Sequence, residues 1–238
     1  MDLNKVQTVG DILEAETNLF LEAEVKYGSA FKNAADFNDL LNNFISEVKP
    51  DAWIFSIFLS QIRKHHLLAL MSATRLHHVQ AMLNMRQVLE AGVNAAYGLA
   101  NPTQDDFIKK EGGILTTKPS MENKRRQWLE KYYKEKSDFI KNMKNGINQT
   151  CAHSNIIYAF NNFGIEDQRF TTPFFDNSKE HWVKTDLWMI GNISLGLMDL
   201  FYGVNKSVNT ITFSETFIRR LKDLEANNHK IKAELENG

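Results

Sequence analysis

Residues 50–102 read PDAWIFSIFLSQIRKHHLLALMSATRLHHVQAMLNMRQVLEAGVNAAYGLANP, and this stretch decides the fold class. Pro50-Asp51 opens a helix, because proline in a first turn lacks only an N–H that has no intrahelical partner. Apolar residues then recur at helical spacing through Trp53, Phe55, Phe58, Ile62 and Leu70 towards Ser72. A second helical pattern runs from about Arg75 to Leu99 and stops at Asn101-Pro102, since proline disfavours helical backbone in the residue before it. A single helix over the whole stretch would be several times the usual length of about 11–12 residues. The pattern therefore predicts two helices packed as a hairpin, with the break near Ser72–Thr74.

The helical period extends outward on both sides. Val9–Tyr27 and Phe37–Val48 read as amphipathic helices divided by a small, polar stretch at Gly28–Asp36. Gly112-Gly113 to Pro119 reads as a flexible loop. Ser120 then starts a long helix whose stripe of Leu129, Tyr132, Tyr133, Phe139, Ile140, Met143 and Ile147 continues towards Cys151. Residues Ile156–Asp176, rich in Phe, Thr and Ile around Gly164, break the pattern. Helices resume at about Ser178–Asn205 and Ser214–Leu235. The reading is all-α: an antiparallel helical bundle forming a single domain over 1–238, with one short irregular or β-hairpin insertion near 156–176. Its core bundle is placed at about 37–210 and its C-terminal helix at about 214–235.

Bulk composition narrows the function classes. The chain has 28 Lys and Arg against 29 Asp and Glu, a net charge of −1, so no global field draws it to a nucleic-acid backbone or an acidic membrane. Cys151 is the only cysteine, which excludes an intramolecular disulfide and a multi-cysteine zinc site within one chain. The opening Met-Asp-Leu-Asn-Lys lacks a basic region followed by an apolar one, so no signal peptide is expected. The apolar run Leu187–Val204 carries Asn192 and Asp199, which predicts a buried helix rather than a membrane span, and cytoplasmic localisation.

Two groups of polar residues stand where a helical core should be apolar. On a wheel of about 100° per residue, Met82, Leu89, Val93 and Tyr97 share one face of the second helix. Arg86 falls in the middle of that face and Glu90 at its edge. A guanidinium is not buried alone, so Arg86 needs partners, and Glu90 at i+4 is the nearest. The pair reads either as an internal strut or as a pocket in which Arg86 faces a phosphate or another anion. In the second group, Asn148-Gln149-Thr150-Cys151-Ala152-His153, small and polar residues replace large apolar ones. Thr150, Cys151 and Ser154 fall on the core face and His153 at its margin, where an imidazole suits acid–base work near neutral pH. Cys151 and His153, two residues apart on one helix, have poor geometry for a thiol nucleophile and its base.

Other motifs argue against alternatives. His65-His66 and His77-His78 point about 100° apart within each pair, and no Glu-x-x-His or His-x-x-x-His spacing occurs, so neither a metal site nor a cofactor is predicted. There is no Gly-rich phosphate loop and no Gly-x-Ser-x-Gly elbow. Lys124-Arg125-Arg126, followed by Trp128, Lys141 and Lys144, suggests either a stripe for RNA or a solvated face diluted by Glu122, Glu130 and Glu135.

The Arg-x-x-x-Glu of Leu83–Ala91 (LNMRQVLEA), followed by a Tyr-rich helix ending in His153-Ser154-Asn155, resembles the helical-bundle families near the HEPN superfamily (higher eukaryotes and prokaryotes nucleotide-binding domains). The similarity covers roughly 53–155. It implies an antiparallel bundle that often dimerises, hence a homodimer. Many members are metal-independent ribonucleases of defence and toxin systems, and others are binding modules without catalysis. Active members carry an Arg, four to six residues, then a His on one helix. Here His153 matches the His, while the allowed Arg positions hold Asn148, Ile147 and Gly146. In such an enzyme the His assists attack by the RNA 2′-hydroxyl and the Arg stabilises charge on phosphorus. An Asn orients a phosphate without neutralising it. The resemblance thus implies a module recognising a nucleotide, RNA or other anion, with Arg86, Glu90 and Tyr97 as ligand-binding candidates. Its rivals are an endoribonuclease using His153 and Asn148, and a purely structural interaction protein in which Arg86–Glu90 fixes helix register.

Overall fold

The computed structural model describes residues 8–117, 119–151, 159, 163–166, 169–176 and 178–237. The described residues form the helices α1 (Val9–Leu21), α2 (Ala23–Asn43), α3 (Trp53–Thr74), α4 (His78–Ala100), α5 (Pro119–Tyr132), α6 (Lys134–Thr150), α7 (Glu180–Val208) and α8 (Phe217–Asn237). The expected all-α bundle is the fold. Three small antiparallel pairs accompany it: β1 (Ile45–Val48) with β6 (Ile211–Phe213), β2 (Lys109–Glu111) with β3 (Ile114–Thr116), and β4 (Gly164–Glu166) with β5 (Arg169–Thr171).

The α3–α4 hairpin forms as the sequence predicts, and it is the most closely packed helix pair. Two glycines of α4 allow close approach, one on each side. A Cβ on Gly98 would lie 2.4 Å from Ile54 of α3, and one on Gly92 would lie 2.4 Å from Leu197 of α7. α4 therefore sits with α3 against one side and α7 against another, and its stripe of Met82, Met85, Leu89 and Val93 is buried. α7 is long and apolar enough to cross a membrane by length and composition, with 56% of its most apolar window buried inside the fold. Its inward residues, Val183, Leu187, Ile190, Leu197, Phe201 and Val204, keep helical spacing against α2, α4 and α8.

Several local expectations are corrected. Gly28–Asp36 is not a connector but part of α2, because Ala30, Asn33, Ala34 and Phe37 bury one helical face. Gly28, at φ +53°, marks a kink within it. Residues Ile45–Val48 leave the helix to pair with Ile211–Phe213, a partner too distant in sequence for local pattern to reveal. Gly112-Gly113 is the two-residue turn of the β2–β3 hairpin, both glycines having positive φ, rather than a loose loop. The long helix after Ser120 breaks at Tyr133 into α5 and α6. The hairpin expected near 156–176 is β4–β5.

Candidate functional site

Helices α4 and α6 run antiparallel, and their contacts define a polar seam. At one end His78 meets Cys151, which caps α6, and at the other Glu90 meets Lys144. On α6, Lys144, Asn148 and Cys151 are spaced i, i+4, i+7 and share a face. Asn148 lies between the two contacts on that face, and its buried Oδ1 has no hydrogen-bond partner among the described residues.

At the Glu90 end, one carboxylate oxygen holds two cations: Arg86 Nε donates to Glu90 Oε1 at 3.3 Å, and Lys144 Nζ lies 2.8 Å from the same atom. Burial pushes the Glu90 carboxyl up, but Lys144 and then Arg86 outweigh it and hold it below the usual carboxylate range. Arg86 is not in the middle of the buried face. Its side chain is 33% exposed, because it borders the exposed edge formed by Leu83 and Gln87. Its two Nη atoms have no hydrogen-bond partner among the described residues. A groove of about 420 Å³ runs along this edge, lined by Gln80, Leu83, Asn84, Arg86, Gln87 and Glu90. Next to it, His65 Nδ1 pairs with Asn84 Oδ1 at 2.8 Å.

The other end contains residues that sequence reading missed. His78 stands at the first position of α4. Its Nδ1 lies 2.7 Å from Asp186 Oδ2 on α7, and its Nε2 lies 3.4 Å from Cys151 Sγ. Its backbone N–H donates to Asp176 Oδ2 at 2.7 Å, so a tertiary carboxylate caps the helix. Burial works against charge on His78, but the hydrogen bond to Asp186, supported by that to Cys151, overrides it and raises the imidazole to about 11. The preceding turn is strained: Leu76, a buried γ-branched residue, is held at φ +61°. His77, between them, is packed against the rings of Phe174 and Phe175. Glu16 of α1 accepts from Arg75 at 3.2 Å and pairs with His77 at 2.9 Å. The one local hint was a doubled histidine at a helix break. Asp186 is 108 residues from His78 and Glu16 is 61 from His77, beyond any local pattern.

The remaining candidates fall elsewhere. Tyr97 is buried with Ile54 and Phe107, its hydroxyl donating to Asp106 Oδ2 at 2.7 Å, and it does not line the groove. His153, with Ser154 and Asn155, lies outside the described residues. The basic run is internally engaged. Lys124 binds Asp106, Arg126 pairs with Glu122, and Arg125 is buried over Phe107, donating to Asn94 and to the Asp106 carbonyl at 2.7 Å each. Lys141 pairs with Glu130. Lys124, Arg126 and Lys141 are thus ion-paired while about half exposed. No group of three or more His, Cys, Asp and Glu side chains among the described residues is arranged to hold a metal ion. His78, Asp186 and Cys151 form a chain through opposite ring nitrogens instead of converging on one point.

No protein-family model, no curated protein and no solved structure matches the chain, so the HEPN resemblance draws on its motif residues alone.

Proposed function

We propose that this chain is a binding module that seats a phosphate-bearing ligand, a nucleotide or RNA, on the α4 groove with Arg86 as its charged anchor. The observation that supports this is the guanidinium itself. Glu90 fixes Nε and leaves both Nη donors without a partner among the described residues. A planar fork oriented in this way matches two phosphate oxygens, which a point charge does not. Lys144 shares the same carboxylate, so the group of two cations and one anion carries a net positive charge. Gln80 and Gln87 add amides along the groove that suit a base or ribose.

Thermal unfolding with nucleoside mono-, di- and triphosphates and with short single-stranded RNA tests the reading. A ligand at about 100 times its Kd adds about 2.7 kcal/mol of stability. The melting temperature should rise for wild type and not for Arg86→Ala, and the rise should shrink with salt. No shift with any of these ligands, or an equal shift in Arg86→Ala, overturns the proposal.

A metal-independent ribonuclease is favoured by one observation, the buried Oδ1 of Asn148 on the seam. That acceptor has no donor among the described residues, and a ribose 2′-hydroxyl would satisfy it where the seam opens to admit one. Cleavage of labelled RNA in EDTA, lost in His153→Ala of matched fold, would establish it. Absence of cleavage at high protein concentration would leave the binding module alone.

A further inference from the structure

The opposite end of the seam has a chemistry that phosphate binding does not use. We propose that Cys151, His78 and Asp186 form a nucleophilic site that accepts an acyl group from a thioester onto Cys151. A thiol nucleophile needs a base within hydrogen-bond reach and a third group that fixes the base's tautomer and orientation. The three residues meet that description on three separate elements: Sγ is 3.4 Å from Nε2, and the Asp186 carboxylate is 2.7 Å from Nδ1 on the far side of the ring. Two further features hold the imidazole in place. Asp176 accepts from the His78 backbone N–H, and the strained Leu76 backbone sets where α4 begins.

In the reactive form Nε2 holds the proton and Sγ attacks, as the thiolate, the carbonyl carbon of an acyl thioester. The new S–C bond forms, the bond to the departing sulfur breaks, and Nε2 delivers its proton to that sulfur, releasing a thiol. Thiol–thioester exchange needs no oxidant and no further reactant. Cys151 is 6% exposed and packs among apolar residues that include Ile147, which suits an apolar acyl chain over a charged one. Water or a second thiol removes the acyl group in a separate step, the leaving Cys151 sulfur recovering its proton through His78.

Mass spectrometry of the full chain with two probes tests this without relying on a variant. Iodoacetamide should alkylate native Cys151 at least about tenfold faster than N-acetylcysteine at the same pH, and a short-chain acyl thioester of N-acetylcysteamine should add one acyl group. Both modifications should fall in His78→Gln and, less steeply, in Asp186→Asn, when circular dichroism matches wild type. Native alkylation no faster than the small thiol overturns the proposal, whether or not the variants fold. So does a rate that His78→Gln leaves unchanged at matched fold. Cys151→Ser should abolish acylation and leave the nucleotide-induced thermal shift intact, which separates this site from the groove.

Discussion

His65-His66 and His77-His78 are the same dipeptide on adjoining helices, and the fold gives them opposite chemistry. His66 is fully buried in α3; among the described residues its Nδ1 has the amide Asn38 at 3.3 Å and its Nε2 has no partner. Burial pushes it down to about 4, so it is neutral. His65 meets another amide, Asn84. At the α3–α4 turn both histidines meet carboxylates, Glu16 and Asp186, and His78 is raised to about 11. Burial disfavours charge at both sites, so burial alone does not separate them. What separates them is a carboxylate supplied from another helix. His66 belongs to the interior and His65 to the edge of the α4 groove, whereas His77 and His78 sit among carboxylates at a strained turn, where functional chemistry concentrates.

The largest expected effect comes from removing that carboxylate. Asp186→Ala leaves an imidazolium beside Cys151 with no counter-charge at Nδ1, and breaking a buried pair in this way costs about 3–5 kcal/mol. Asn38→Ala beside His66 removes one neutral hydrogen bond, at a cost of about 1 kcal/mol. Urea unfolding of both variants measures the difference. Equal losses would break the comparison, because His78 would then depend on Asp186 no more than His66 depends on its amide.

Taken per pH unit, the pH dependence of stability gives the next largest effect, with opposite signs for the two residues. The folded-state value of His78 is raised from the ordinary 6.5 to about 11. Its contribution is therefore complete below pH 6.5, declines as pH rises and is gone above about 11. For His66 the folded-state value is depressed to about 4. Its contribution is complete above pH 6.5 and is lost as pH falls from there towards 4, because the unfolded chain takes up a proton that the folded chain refuses. Each slope is bounded at about 1.4 kcal/mol per pH unit. Unfolding free energies at several pH values should show His78→Gln flattening the alkaline limb and His66→Gln flattening the acid limb. A His78→Gln variant that keeps the wild-type alkaline slope would mean that His78 is not the charged member of its pair.

The contrast also marks what local sequence reveals. The α3–α4 hairpin, α7 and α8 were legible because each has an apolar stripe at helical spacing and, for α4, a proline stop. Arg86–Glu90 was legible because both partners lie on one helix four residues apart. The β1–β6 pair was not, since Ile45–Val48 continues a helical pattern and finds its strand partner at Ile211–Phe213. Arg86 was placed too deep, because a wheel locates the apolar face of α4 but not the edge that its neighbours leave open. The His78 assembly was invisible for the same reason as β1: α4, α6 and α7 each supply one side chain, and only tertiary packing brings them together. Sequence proximity pairs Cys151 with His153, whereas the imidazole beside its sulfur lies 73 residues earlier.

The smallest effect concerns the other half of the charged turn. Glu16 lies beneath Arg75 and His77, with its side chain 18% exposed. It joins α1 to the α3–α4 turn. Glu16→Gln keeps the shape and one hydrogen bond but removes the charge, and a partly screened pair of this kind contributes about 1 kcal/mol or less. For a chain of this size that is a fall of at most about 2–4 °C in melting temperature. The loss should shrink in high salt, whereas the loss in Asp186→Ala should persist, because Asp186 is buried and screened far less. A Glu16→Gln loss as large and as salt-insensitive as that of Asp186→Ala would make the two halves of the turn one buried network. The charged site would then include α1 as well as α4, α6 and α7.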